Sequence, residues 1–194
     1  MTTDKTSVET LWDEIFSIQK ILETHKEVSL LSDYNNTIRK VLLLSCGSYF
    51  EKEMTEMLKE YVRNIAKNDK IVSFLEKQAI HQKYHTLFDW GKQNEPLEHN
   101  GSKNINKFTG LFGNDFKELV NNELTKDIEF NKSKEAFIEI GHIRNILVHN
   151  DFASYSYENK TPKEIYDLYQ VAKSFIPKIN ELLEKDSICS HLNK

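Results

Sequence analysis

Apolar residues return at helical spacing along most of the chain. From about Ser7 to Lys26 they fall at Val8, Leu11, Trp12, Ile15, Ile18 and Leu22, which makes one stripe of an amphipathic helix. A second helix is predicted from about Asp33 to Asn68, with Phe50, Met54, Met57, Leu58, Tyr61 and Ile65 on one side and charged residues opposite. At ~1.5 Å per residue it would run about 50 Å and set the length of a bundle. Asp69 to Phe130 is less regular: the pattern predicts a helix from Ile71 to Leu87, a loop from Trp90-Gly91 through Gly101-Ser102, and a helix from Phe116 to Leu124. A further strong helix is predicted from Asn131 or Ser133 to about Asn150. The last begins at Thr161-Pro162-Lys163-Glu164, where a capping Thr, a Pro at the first helical position and a Glu three residues after the cap coincide. It buries Ile165, Leu168, Tyr169, Ala172, Ile176 and Ile179, with a kink expected at Pro177.

Composition sharpens this picture. The 194 residues are 39% apolar, enough for one domain spanning 1–194 with a real core, and 6 Gly and 3 Pro are few turn-makers for a sandwich or barrel. The expected fold is an all-α, up-and-down helical bundle with a partly irregular insertion between the second long helix and the helix ending near Asn150. A net charge of -4 argues against an extended, non-specific RNA coat but leaves room for a small basic site. Cys46 and Cys189 form neither a disulfide framework nor a metal-ligand motif, which fits a reducing compartment. The longest aliphatic run, Val41 to Leu44, is far short of a membrane span, and the Met-Thr-Thr-Asp-Lys start lacks the apolar core of a signal peptide. The expectation is a cytoplasmic protein with no membrane partner.

Only three basic residues are arginine: Arg39, Arg63 and Arg144. On a helical wheel Phe137, Ile140, Leu147 and Val148 lie within about 60° of Arg144, so a guanidinium sits in the middle of an apolar stripe. Such a charge must meet a carboxylate or line a cleft or interface. Gly141, one turn earlier on the same side, would let another helix come close. His149 follows at the helix end and Asn145 adjoins the Arg. In a straight helix Arg144 and His149 are about 140° apart, so either Asn150-Asp151 ends the helix and turns the His, or a second copy supplies the missing side. Two protomers facing each other would present two imidazoles and two guanidiniums to one phosphate. Those groups suffice for RNA cleavage without metal or other cofactor: His moves protons at the 2′-OH and the leaving oxygen, and Arg holds the phosphorane charge. The products would be a 2′,3′-cyclic phosphate and a 5′-OH. Asn145 would orient the His or a phosphate oxygen. The bland alternative is a structural Arg–Glu pair with an incidental His.

Arg144, Asn145 and His149 resemble the HEPN superfamily pattern of Arg, a polar residue, three to five residues, then His near a helix end. The likeness extends to Ser48-Tyr49-Phe50-Glu51, similar to the acidic helix position of the RiboL-PSP-HEPN branch, and to Asn104 through Phe108 and Leu111-Phe112-Gly113 in its middle region. It covers about Ile38 to Glu181. The resemblance implies that Glu51, with Glu53 as the alternative, pairs with Arg144 or His149. It also implies a homodimeric endoribonuclease, the toxin or effector of a prokaryotic toxin–antitoxin or antiphage system, partnered by RNA and by an antitoxin or regulatory protein. The alternative within the family is a non-cleaving module that binds nucleotide or a partner. The chain departs from a related toxin group that has an acceptor Tyr for inactivating nucleotidylation two residues after the His, where Asp151 stands here.

Weaker signals lie in the middle of the chain. Seven lysines against five acids from Lys67 to Lys107 make a locally basic stretch, in which Lys103 and Lys107 are candidates for the RNA backbone, although a solvated helix face gives the same spacing. Tyr155 and Tyr157, after His149, are candidates for base stacking, with Tyr155 preferred, or for covering a core edge. His81 and His85 have a metal-ligand spacing but lack the Glu of a zincin, and later ligands would be Glu98 and His99 across a loop, so no metal site is expected. His142, nearly on the same face as His149, reads as structural.

Overall fold

The first helix, α1 (Ser7–Thr24), starts where Thr6 and Glu9 form a reciprocal capping box. After a three-residue turn the chain enters α2 (Val28–Ala66), whose 39 residues span about 58 Å. The computed structural model describes residues 4–80, 84–91, 103–153, 157 and 160–192, with the backbone alone at 79, 80, 85, 103 and 186–192. The fold is all-α, with one two-residue strand pair in the insertion.

The insertion opens with α3 (Asp69–Leu75), capped by the Asn68 side chain, and a π-turn (Glu76–Ile80) interrupts what periodicity predicts as one helix to Leu87. A short α4 (Tyr84–Leu87) leads into β1 (Asp89–Trp90), which pairs antiparallel with β2 (Lys103–Asn104). Two short pieces follow, α5 (Asn106–Thr109) and a 3-10 turn (Gly110–Phe112), before α6 (Asn114–Lys126).

The helix α7 (Ile128–His149) begins earlier than its apolar stripe, because Asp127 caps it by accepting from Phe130 N at 2.9 Å while Ile128 remains exposed. The expected capping box of Thr161 and Glu164 opens α8 (Pro162–Ala172). Instead of a kink at Pro177 there is a break at Lys173-Ser174, and α9 (Phe175–Leu192) starts afresh. A continuous helix would drive the proline ring into the carbonyl four residues earlier, at Lys173; restarting puts Pro177 in a first turn, where no N–H is needed.

Phe137 of α7 joins the bundle to the insertion. Its ring lies 5.4 Å from Phe50 of α2 and 4.6 Å from Phe175 of α9, while Phe88 after α4 packs on it at 5.1 Å and on Phe108 of α5 at 4.8 Å. Each such pair adds roughly 0.5–1.5 kcal/mol beyond the area it buries. The helices α2 and α7 run antiparallel: Lys40 meets Phe152 and Glu51 meets Arg144, with the numbers ascending on one helix and descending on the other.

Candidate active site

Arg144 lies within the buried stripe of α7, flanked by Ile140, Ile143 and Leu147, so its side chain must leave the core along a neighbour. That neighbour is Gly47 of α2. A Cβ there would stand 2.7 Å from Arg144 Cγ, and its absence lets the Arg stem cross α2 in contact with the backbone. One turn on, at Glu51, the guanidinium finds its counter-charge: Nη2 donates to Oε2 at 3.1 Å, with the Arg side chain 18% and the Glu side chain 33% exposed. A longer contact of 3.5 Å runs from Arg144 Nη1 to Asn145 Oδ1.

Gly141 makes a second close approach, but to Trp90 of β1 rather than to another helix: a Cβ on it would lie 2.0 Å from the indole Cζ3. His142 fixes the same strand, its Nδ1–H donating to the Trp90 carbonyl at 2.6 Å, which is a structural role. Trp90, Tyr84, Phe50, Gly47, Arg144 and Asn145 line a cleft of about 10 Å³, room for roughly one water. The Tyr84 hydroxyl is pushed up by burial and by the Glu51 carboxylate, against an opposing effect of Arg144, so it stays a neutral phenol there. A nucleotide does not fit inside this cleft; the Arg144–Glu51 pair keeps partial access to solvent.

His149 is exposed and still helical, and the turn follows only at Asn150, whose extended backbone ends α7 with its N–H on Ile146 O at 3.2 Å. The helix end therefore does not swing the imidazole round, and the separation from Arg144 remains about 140° about the axis. Within one protomer Arg144 contacts Asn145 and Glu51, and His149 stands five residues, about 7.5 Å of rise, further along α7.

Glu53, the alternative acid, faces a different groove with Tyr49, Met57 and Pro177. Lys107 is exposed and lines an apolar cavity of about 520 Å³ with Leu58, Tyr61 and Phe108, separate from the Arg144 cleft. Tyr157 is buried. Tyr155, His81, Glu98 and His99 lie outside the described residues, as do the side chains of Lys103 and His85. Among the described residues no three His, Cys, Asp or Glu side chains gather where they could hold a metal ion, and no helix is long and apolar enough to cross a membrane. Burial pushes the Cys46 thiol well up, which leaves it inert.

Sequence reasoning missed Gly47, Trp90 and Tyr84. Gly47 left a trace: a glycine deep inside a long helix is disfavoured by about 1 kcal/mol and asks for a close contact. Trp90 and Tyr84 left none, since their approach to α7 is purely tertiary.

A family model described as RiboL-PSP-HEPN matches residues 9–185 of the chain. No curated protein and no solved structure matches it.

Proposed function

The chain belongs to the RiboL-PSP-HEPN family, and from that premise we propose that it is a metal-independent endoribonuclease whose site is completed by a symmetric homodimer. Family membership points to a nuclease-type, RNA-directed function. The finer reading is carried by one observation: Arg144 is held at the α2–α7 seam by Glu51 and by the missing side chain of Gly47, with its guanidinium at the solvent edge. A structural ion pair would use the same contacts, but the partial exposure of both side chains, 18% and 33%, leaves the guanidinium within reach of a phosphate.

In the proposed reaction His149 takes the proton of a ribose 2′-OH, and the 2′-oxygen attacks the adjacent phosphorus. The bond to the 5′-oxygen breaks as the partner's His149 delivers a proton to that oxygen, leaving a 2′,3′-cyclic phosphate and a 5′-OH. Arg144 neutralises the charge on the phosphorane oxygens, for which a planar fork of donors is suited. Asn145 steadies the fork or a phosphate oxygen. Two copies with their α7 helices near the two-fold axis remove the angular mismatch between Arg144 and His149. The biological setting we assign is a toxin or effector restrained by a regulatory protein.

RNA digestion in EDTA tests the reading. Cleavage to cyclic-phosphate ends by a protein that sediments as a dimer is expected. Absence of cleavage with retained nucleotide binding would leave a non-cleaving binding module, and full activity of a monomer would remove the dimeric site.

A further inference from the structure

Lys40 belongs to no part of the site described so far, yet it is a charged residue only 9% exposed, on the same helix as Glu51. Its ammonium donates to the Phe152 carbonyl at 2.8 Å and stands 4.8 Å above the centre of the Phe152 ring. Phe152 lies three residues after His149, just past the end of α7. At 100° per residue Lys40, Gly47 and Glu51 fall within about 40° of one another on α2, so one stripe of that helix faces α7 along its C-terminal half. The stripe holds α7 twice: Glu51 and Gly47 fix Arg144, and about 16 Å away along α2, Lys40 fixes the chain leaving His149. A cation at a helix C-terminus also complements the helix dipole, and its contact with an aromatic face strengthens when partly desolvated.

We propose that Lys40 is a positioning residue for His149, its hold on the Phe152 carbonyl and ring setting where α7 ends and so where the imidazole is presented. The inference rests on the ribonuclease reading. Past His149 the chain is also held by the Asn150 N–H and side-chain amide, both donating to Ile146 O, at 3.2 and 2.7 Å, and by Ala153 N–H on Asp151 Oδ1 at 3.2 Å. These tie it to itself and to α7, whereas the Lys40 contact ties it to α2. Loss of the Lys40 contact removes that tie to α2 and lets the end of α7 shift, and a displacement of about 1 Å at a proton-transfer group is enough to slow a reaction by up to ~100-fold.

The test is a double-mutant cycle of Lys40→Met with His149→Ala, read by RNA cleavage, alongside Lys40→Arg. Lys40→Met is expected to lower kcat by ~10–100-fold with KM within about twofold, Lys40→Arg to restore most of the loss, and Lys40→Met to add nothing once His149 is alanine. Equal losses in both backgrounds, or a lowered melting temperature with kcat intact, would overturn the proposal. Amide hydrogen exchange at Asn150 and Ala153 supplies a readout that needs no activity, expected to quicken by about tenfold in Lys40→Met. If the wild type cuts no RNA, the ribonuclease reading fails on that ground, while unchanged exchange would sink the positioning role. Should Lys40→Met not fold, Phe152→Ala removes the ring under the ammonium and must shift kcat and exchange in the same direction.

Discussion

The guanidinium of Arg144 and the carboxylate of Glu51 meet at 3.1 Å across the seam between two antiparallel helices, 93 residues apart in the chain. Neither is deeply buried, so their attraction is screened, yet removing the carboxylate leaves the guanidinium in a cleft lined by Phe50 and Tyr84, and removing the guanidinium leaves a partly desolvated carboxylate whose charge is felt at Tyr84. Arg144→Ala should abolish RNA cleavage and reduce stability by about 1–2 kcal/mol, visible as a lower urea midpoint. Glu51→Gln keeps an acceptor for the guanidinium and should lose less stability. Wild-type cleavage by Arg144→Ala would show that the pair is only structural.

Gly47 separates helix stability from site geometry. Alanine there gains about 1 kcal/mol of helix propensity, but its methyl would press on the stem of Arg144, lying 2.7 Å from Cγ unless that side chain moves. Gly47→Ala should therefore leave the melting temperature within a few degrees of wild type while cutting the cleavage rate by about tenfold or more, since the guanidinium is displaced from Glu51. Cleavage at the wild-type rate would mean that Arg144 need not lie across α2.

The long helices were legible because each buries one stripe; the boundaries misread are those where the end turn faces water. Val28 and Leu30 open α2 while exposed, and Glu27 makes no side-chain cap, so periodicity suggested a start nearer Asp33. At α7 the exposed Ile128 precedes the stripe in the same way. Arg144 stood out in the sequence as a charge among apolar neighbours, whereas Glu51 is one of many acids on α2 and came only from family resemblance. Trp90 against Gly141 was not readable at all, because a close approach between a strand and a helix 51 residues on leaves no local pattern.

Glu9 gives the protein a predictable response to acid. Burial works to raise its pKa, but hydrogen bonds from Lys173, the Thr6 backbone N–H, Gln170 and the Thr6 hydroxyl outweigh that and bring it down to about 2. The folded pKa lies below that of an unfolded glutamate, so the stabilisation is present above roughly pH 4.5 and is lost as pH falls towards 2. This residue ties α1 to α8 and its exit through Gln170 and Lys173. Glu9→Gln should melt below wild type at pH 6, and the two curves should converge between about pH 4.5 and 2. A gap that stays constant over that range would assign the effect to packing instead of charge.

His149 separates chemistry from stability most sharply. It is exposed in the last turn of α7, so truncation removes little core, and thermal stability of His149→Ala should match wild type closely. Proton transfer contributes typically 10²–10⁴-fold, and the cleavage rate should fall by about that factor. In a symmetric dimer the variant loses both imidazoles at each site, which places the expected loss toward the upper end of the range. Mixing excess His149→Ala chains into wild type should then depress activity by more than simple dilution, because each hybrid dimer lacks either the acid or the base. Activity that falls only in proportion to the wild-type fraction would show that one protomer carries its own complete site. A full cleavage rate with a lowered melting temperature would remove His149 from the chemistry and leave it a helix-end residue.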